Sequence, residues 1–194
     1  MQGYDKVMVF IDGENLVMRY QDMLDAGKNQ KPHTKYSKDV YVWNDEMISR
    51  ANVDLKRVTY YTSAVGSDDR INKLREEIHS INYEFHGLPD TFHGATRYLR
   101  QSGSVVPKVY KKTARSQKSR QVDINITIDM LNHATPSQVD RIVLISGDGD
   151  LVPLVREVMR RGIQLHVAAL SSGVNKKLKV VADMFTSLDS YLFD

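Results

Sequence analysis

The stretch LISGDGDLVP, residues 144–153, joins an apolar run to a glycine-rich turn that carries two aspartates, Asp148 and Asp150. The apolar run covers residues 142–145 and is typical of a strand buried on both faces. A helical pattern over residues 151–161 follows the turn. In open sheets built from such units, ligands bind beyond the carboxyl ends of the strands. The two aspartates therefore lie where a functional site is expected.

The same alternation of strand and helix recurs along the chain. Apolar or β-branched runs occupy residues 7–11, 58–61, 142–145 and 165–170, and helical patterns occupy residues 14–24, 70–80 and 151–161. This order predicts an α/β fold, with a mostly parallel sheet covered by helices on both faces. Two polar segments, residues 27–38 and the basic residues 103–120, interrupt the alternation and are interpreted as loops.

Composition narrows the class of protein. The chain has 194 residues and no linker rich in Gly, Ser or Pro, so a single domain over residues 1–194 is expected. The absence of cysteine excludes disulfides and thiolate metal sites. Neither a signal peptide nor a stretch of membrane-spanning length is present, so a cytoplasmic location is expected. The net charge of +3 weakly indicates a polyanionic partner.

A third aspartate, Asp12, follows the first apolar run, as Asp148 and Asp150 follow the run at residues 142–145. In a parallel sheet these positions share one edge, and the side chains converge if the two strands are neighbours. Carboxylates held together repel unless a cation neutralises them or one takes up a proton. Oxygen ligands without cysteine favour Mg²⁺ or Mn²⁺. The alternative is that Asp150 caps the following helix and Asp12 is a turn residue.

A fourth aspartate, Asp123, lies in the segment QVDINITIDML, whose pattern fits both a strand and a helix. Its apolar residues alternate strictly, as in a strand, yet several of them also share one helical face. As a strand, the segment would put Asp123 and Asp129 on the same face. As a helix, it would put Asp123 in the first turn, with Asp129 about a third of the way round. The residues alone leave both alternatives open.

Four stretches together resemble the NYN family of PIN-like ribonucleases: VFIDGENL, VDINITIDML, VLISGDGDLVPLVREVMRRGIQLHVAAL and LKVVADMFTSL. The resemblance covers nearly the whole chain. It implies a Rossmann-like three-layer α/β/α sandwich and a metal-dependent nuclease site. It also implies that the middle stretch is a helix, and that the metal-binding and catalytic carboxylates are Asp12, Asp123, Asp148 and Asp150.

The function expected from this resemblance is hydrolysis of RNA phosphodiester bonds, most simply by an endoribonuclease, with one or two Mg²⁺ or Mn²⁺ ions. Three residues are candidates for supporting the carboxylates or the substrate: Asn15, Asp129 and Ser146. Basic residues that lead into Asp123 are candidates for binding RNA phosphates. These are Lys108, Lys111, Lys112, Arg115, Lys118 and Arg120. The expected partner is RNA, either single-stranded or structured. No membrane is expected as a partner, and the chain is also considered to form a homodimer.

Three alternatives compete with the ribonuclease. A phosphatase of the haloacid dehalogenase type needs Asp-x-Asp after its first strand, but the chain has Asp12-Gly13-Glu14 there. A Toprim domain has a glutamate after its first strand, and it would leave Asp123 unexplained. A non-catalytic RNA-binding or regulatory module on the same fold is the rival from a different class, because a fold does not guarantee activity.

Overall fold

The computed structural model describes residues 4–48, 53–86, 90–92, 95–97, 100–113 and 120–194. In chain order the elements are β1 (Asp5–Asp12), α1 (Gly13–Asp25), β2 (Lys35–Ser37), β3 (Tyr41–Trp43), β4 (Val53–Ala64), α2 (Asp68–His79), β5 (Asn82–His86), β6 (Asp90–Phe92), β7 (Ala95–Arg97), β8 (Arg100–Ser104), β9 (Val106–Lys111), α3 (Arg120–His133), β10 (Arg141–Ile145), α4 (Val152–Arg160), β11 (Gln164–Ala169), α5 (Lys176–Val181), β12 (Met184–Ser187) and α6 (Asp189–Leu192). Short 3₁₀ turns lie at Asp45–Met47 and Gly149–Leu151.

The central sheet has six strands in the order β12, β11, β10, β1, β4 and β9, and every neighbouring pair is parallel. This confirms the predicted mostly parallel sheet. Strands β1 and β10 are neighbours, with Ile11 paired to Ile145. The carboxyl ends of these two strands therefore lie side by side, at Asp12 and Ile145. Smaller antiparallel pairs join β2 to β3, β5 to β8 and β6 to β7.

Helices cover both faces of this sheet, because its inner strands carry apolar side chains in both directions. In β1, Val9 and Ile11 belong to the core that includes residues of α1 and α2. Phe10, between them, belongs to the core that includes residues of α3, α4 and α5. A continuous apolar run is what a parallel strand needs between two layers of helices. The α/β/α layering expected from the family resemblance is thus present.

Both segments interpreted as loops contain strands, so that part of the prediction is wrong. Residues 27–38 include β2, which pairs with β3. Residues 103–120 include β9, the edge strand that pairs with β4 over six residues. Lysines obscure the strand pattern in β9, although Val109 at its centre is buried. Edge strands accept charged residues and proline because one of their sides has no neighbouring strand.

The ambiguous segment around Asp123 forms helix α3, as the family resemblance implies. Three residues spaced four apart, Val122, Ile126 and Met130, are fully buried against the sheet. Ile124 and Ile128 are about half exposed on the opposite side.

Among the described residues, no helix is both long and apolar enough to span a bilayer.

Candidate active site

Three carboxylates meet at the carboxyl edge of the central sheet. Asp12 ends β1, Asp148 lies in the turn after β10, and Asp123 lies in the first turn of α3. Each offers a carboxylate oxygen, and these oxygens all lie within 4.8 Å of one another. We call these three residues the carboxylate group. Such a set of oxygen atoms matches the ligands that Mg²⁺ and Mn²⁺ prefer.

Asp12 is the most deeply placed member of the carboxylate group, with 2% of its surface exposed. Its Oδ1 accepts a hydrogen bond from the backbone N–H of Asn15 (3.1 Å), and its Oδ2 accepts one from Ser146 Oγ (2.8 Å). Burial, with smaller contributions from the nearby Asp123 and Asp148, raises the pKa of Asp12 to about 7, although the two hydrogen bonds act to lower it. The site therefore favours either a proton or a cation beside Asp12 at neutral pH.

Asn15 and Ser146 hold the turn after β10 against Asp12. Ser146 Oγ accepts a hydrogen bond from the backbone N–H of Asp148 (3.1 Å) while it donates to Asp12. Asn15 Oδ1 accepts one from the backbone N–H of Gly147 (2.8 Å). Both side chains are buried. They fix the separation of Asp12 and Asp148, which is the usual task of residues that surround metal ligands.

Asp150 and Asp129 lie outside the carboxylate group. Asp150 is exposed in the 3₁₀ turn, and its backbone N–H donates to Asp148 Oδ1 (2.9 Å). Asp148, rather than Asp150, therefore caps this turn, and the helix after it has no side-chain cap. Asp129 Oδ2 accepts a hydrogen bond from the Tyr61 hydroxyl (2.7 Å). This bond ties α3 to β4, away from the residues that line the cleft.

A cleft of about 670 Å³ is lined by Asn15 and by two members of the carboxylate group, Asp12 and Asp148, whereas Asp123 does not line it. Lys112 and Arg19 supply positive charge to its lining. The cleft is large enough to admit part of a polymer, since ligand pockets usually range from about 300 to 1,000 Å³. Five of its lining residues are acidic and two are basic, so an anion would bind there only together with a cation.

The described members of the predicted RNA-binding set have different surroundings. Lys112 reaches into the cleft, where its Nζ contacts Glu14 Oε1 (3.1 Å). Lys111 instead forms an ion pair with Asp68 on α2 (2.8 Å). Lys108 is exposed on β9, and Arg120 is exposed at the start of α3. The remaining two, Arg115 and Lys118, lie outside the described residues.

Sequence reasoning missed four charged residues that line the cleft: Glu14, Arg19, Asp22 and Asp39. Glu14 accepts hydrogen bonds from Lys112 and from Ser63, and only 15% of its side chain is exposed. Arg19 lies on α1, four residues after Asn15. Because residues four apart share a helical face, the spacing of Asn15 and Arg19 was the available signal.

Replacing Gly13 by alanine is expected to destabilise the protein and disturb Asp12, which precedes it. A Cβ atom there would lie 2.2 Å from Tyr60 Cε1 and 2.6 Å from the backbone oxygen of Tyr61. Because a strand carbonyl in the central sheet cannot move aside, the cost is expected to be about 1–3 kcal/mol. Urea denaturation measures it. The exposed Lys28→Ala serves as control and should stay within about 0.5 kcal/mol of the native protein. Equal stability of all three proteins would contradict the close approach.

A solved structure shares the fold. A crystal structure of a protein of unknown function from Vibrio parahaemolyticus matches with a TM-score of 0.63 and 19% sequence identity. The match covers 100% of this chain and 99% of that chain. At this identity the likeness shows a common fold alone. None of the curated proteins compared with the chain matches it.

A family match goes further than the shared fold. The NYN domain family matches residues 6–189, nearly the whole chain. This range includes β1, α3 and the turn after β10, which carry the three members of the carboxylate group. NYN domains have a nuclease-like PIN fold, and the six-stranded sheet flanked by helices agrees with it. The family resemblance inferred from the sequence is confirmed, and the chain belongs to the NYN domain family of the PIN-like superfamily.

Proposed function

We propose that the protein is a metal-dependent ribonuclease that hydrolyses RNA phosphodiester bonds in the cleft above the carboxylate group. One observation carries the proposal. Asp12, Asp123 and Asp148 bring carboxylate oxygens within 4.8 Å of one another at the sheet edge where α/β folds bind ligands. Membership of the NYN domain family supports the reaction class.

The residues present fit a divalent cation. The three carboxylates offer only oxygen atoms, and Asp12 is buried where its negative charge is unfavourable without a compensating cation. When bound, Mg²⁺ or Mn²⁺ polarises the phosphate and makes a nearby water more acidic. Because such ions keep several waters, the exposed Asp150 is proposed to act through a water rather than directly.

The other residues of the cleft hold the site and the substrate. Asn15 and Ser146 keep the turn after β10 in place, so that Asp148 stays beside Asp12. Lys112 is proposed to contact an RNA phosphate, while its ion pair with Glu14 keeps its Nζ at the cleft. This division leaves the carboxylates for chemistry and the cations for binding.

A cleavage assay on a mixture of single-stranded and structured RNAs tests the proposal. The RNAs carry a label at either end, so that internal cleavage and end-wise degradation give different products. Cleavage is expected with Mg²⁺ or Mn²⁺, and none with EDTA or in Asp148→Asn. A native protein that binds RNA but cleaves none, with either metal, would instead identify a non-catalytic RNA-binding module.

Neutralising the described lysines of the basic stretch is expected to weaken RNA binding about equally across sequences. The variant replaces Lys108, Lys111 and Lys112 by glutamine. Each phosphate contact adds about 0.7 to the salt slope for a single strand, so the slope should fall by up to about 2.

A matched control replaces three lysines that do not line the cleft, Lys6, Lys28 and Lys56, by glutamine. Both variants change the net charge equally, so a general loss of charge cannot explain a difference between them. Affinity is measured by fluorescence anisotropy at several salt concentrations. Equal salt slopes in the two variants would mean that RNA does not cross β9 and the segment after it.

A further inference from the structure

Arg19 lines the same cleft as Asp12 and Asp148, and the proposed function gives it no task. We propose that Arg19 binds a phosphate of the RNA, next to the phosphate that lies at the carboxylate group. The inference rests on the proposed function and names a second point at which the substrate is held. It is carried by the hydrogen bonding of the guanidinium, its packing and its position across the sheet.

The guanidinium of Arg19 has hydrogen-bond donors that the described residues do not use. Its Nη1 donates to Asp22 Oδ2 (3.0 Å), one turn further along α1. Its Nε is buried and has no hydrogen-bond partner, and Nη2 has no acceptor among the described residues. Because Nε is buried against Gly173, Nη2 is the donor that remains for a phosphate oxygen. Hydrogen bonds from a guanidinium to a phosphate are charge-assisted and therefore stronger than neutral ones.

The side chain of Arg19 packs against Gly173, in the loop after β11. A Cβ atom on Gly173 would lie 2.0 Å from Arg19 Nε and 2.3 Å from Cζ, so a larger residue there would displace the guanidinium. Ser172 Oγ donates to the backbone carbonyl of Arg19 (3.0 Å) and ties this loop to α1. About a third of the Arg19 side chain is exposed, at 31%. The guanidinium is therefore held in one orientation and still reaches the cleft.

Arg19 and Lys112 lie on opposite sides of the carboxylate group. Lys112 follows β9, at one end of the central sheet, whereas Gly173 follows β11, on the other side of β1 and β10. An RNA strand that crosses the cleft above Asp12 therefore meets a cation on each side. Two fixed cations would hold consecutive parts of the backbone and place the phosphate between them at the carboxylates.

The simpler explanation is that Arg19 and Asp22 form an ordinary helical ion pair. Exposed pairs of this kind contribute little to stability, so close packing around the side chain is not expected of them. An ordinary pair would also account for neither the buried Nε nor the close approach of Gly173. Both features show that packing fixes the guanidinium, which lowers the entropy lost when it binds a ligand.

The test compares Arg19→Gln with Arg160→Gln. Arg160 also pairs with a carboxylate three residues away on its own helix, Glu157 (2.7 Å), but it lies at the far end of α4. Each variant removes one positive charge and one helical ion pair. Binding of a fluorescein-labelled single-stranded RNA is measured by anisotropy in EDTA, so that no RNA is cleaved, over a series of salt concentrations.

Arg19→Gln is expected to lower RNA affinity about tenfold and to reduce the salt slope by about 0.7, while Arg160→Gln changes neither. Arg19→Lys keeps the charge but lacks Nη2 and the planar guanidinium, so it should restore the slope and only part of the affinity. Gly173→Ala should lower the affinity although Arg19 is present. Its thermal unfolding, measured alongside, separates this effect from a loss of fold.

Equal affinity and slope in Arg19→Gln and Arg160→Gln would overturn this inference, and cleavage by the native protein would then leave the proposed function standing. Reduced thermal stability of Arg19→Gln without a change in slope would likewise assign Arg19 a purely structural part and overturn it. Failure of the native protein to bind RNA at all would overturn both the inference and the proposed function.

Discussion

Asp148→Asn is expected to reduce RNA cleavage at saturating RNA by well over 100-fold, because loss of an outer partner of a metal ligand already costs about 10–100-fold. RNA affinity should stay equal or rise, since one negative charge near the phosphates is removed. The fold should survive, because asparagine keeps an oxygen that can accept the backbone N–H of Asp150 and so cap the turn. Single-turnover cleavage and anisotropy, measured on the same RNA, separate the two effects.

Asp150→Asn is the matched control, because it makes the same chemical change two residues further along. Asp150 lies outside the carboxylate group, so its loss is expected to cost no more than about 10–100-fold in cleavage. A larger loss in Asp150→Asn than in Asp148→Asn would mean that the exposed carboxylate is the essential one. Loss of RNA binding in Asp148→Asn would mean that the path of the RNA over the sheet edge is misplaced.

The sheet could be predicted from the sequence because its inner strands are buried on both faces. Such strands require continuous apolar runs, and residues 7–11 and 142–145 have them. The edge strand β9 was missed because it is flanked by solvent, where lysines interrupt the apolar pattern. The pattern of apolar side chains therefore indicates buried strands reliably, but it does not reveal strands at the edge of the sheet.

Helix α3 could not be identified from its residues alone, because both of its sides carry isoleucine. Ile126 is fully buried, whereas Ile124 and Ile128 are about half exposed. Strict alternation of apolar residues favours a strand, and only the family resemblance favoured the helix. The position of Asp123 beside Asp12 depended on that choice, because a strand would have placed Asp123 elsewhere in the sheet.

The sequence indicated the chemistry of the site, but not its detailed geometry. Asp12, Asp148 and Asp150 all follow strands, yet the turn brings Asp148 and not Asp150 to Asp12. Which of two aspartates spaced two apart points inward depends on backbone angles that residue types do not specify. Arg19 was missed for a similar reason. The loop that packs against it contains Ser172, which is 153 residues further along the chain.

The burial of Asp12 should make the metal-free protein less stable as pH rises towards neutrality. Its pKa in the folded protein is about 7, against an ordinary value of 3.8. Between these values the folded state binds more protons than the unfolded state, so the free energy of unfolding falls as pH increases. The stabilising contribution is complete below about pH 4 and lost above about pH 7. Three pKa units correspond to a change on the order of 4 kcal/mol.

Asp12→Asn isolates this change, because asparagine has a similar shape and no charge to bury. Urea denaturation of both proteins in EDTA, at pH 5 and at pH 8, gives the difference in unfolding free energy at each pH. The native protein should lose a few kcal/mol relative to Asp12→Asn between the two pH values. Comparing the two proteins cancels the titration of the histidines and other carboxylates. A constant difference would mean that Asp12 is ionised with an ordinary pKa in the fold.

Adding Mn²⁺ should reverse the loss of stability at pH 8, since a cation beside Asp12 takes the place of the proton. At a concentration about 100 times the dissociation constant, Mn²⁺ is expected to stabilise the native protein by about 2.7 kcal/mol. Asp12→Asn should gain much less, and the native protein should gain less at pH 5, where a proton competes with the metal. Equal gains by the two proteins at pH 8 would place the metal away from Asp12. Because this test needs no RNA, it examines the metal site independently of whether the protein cleaves RNA.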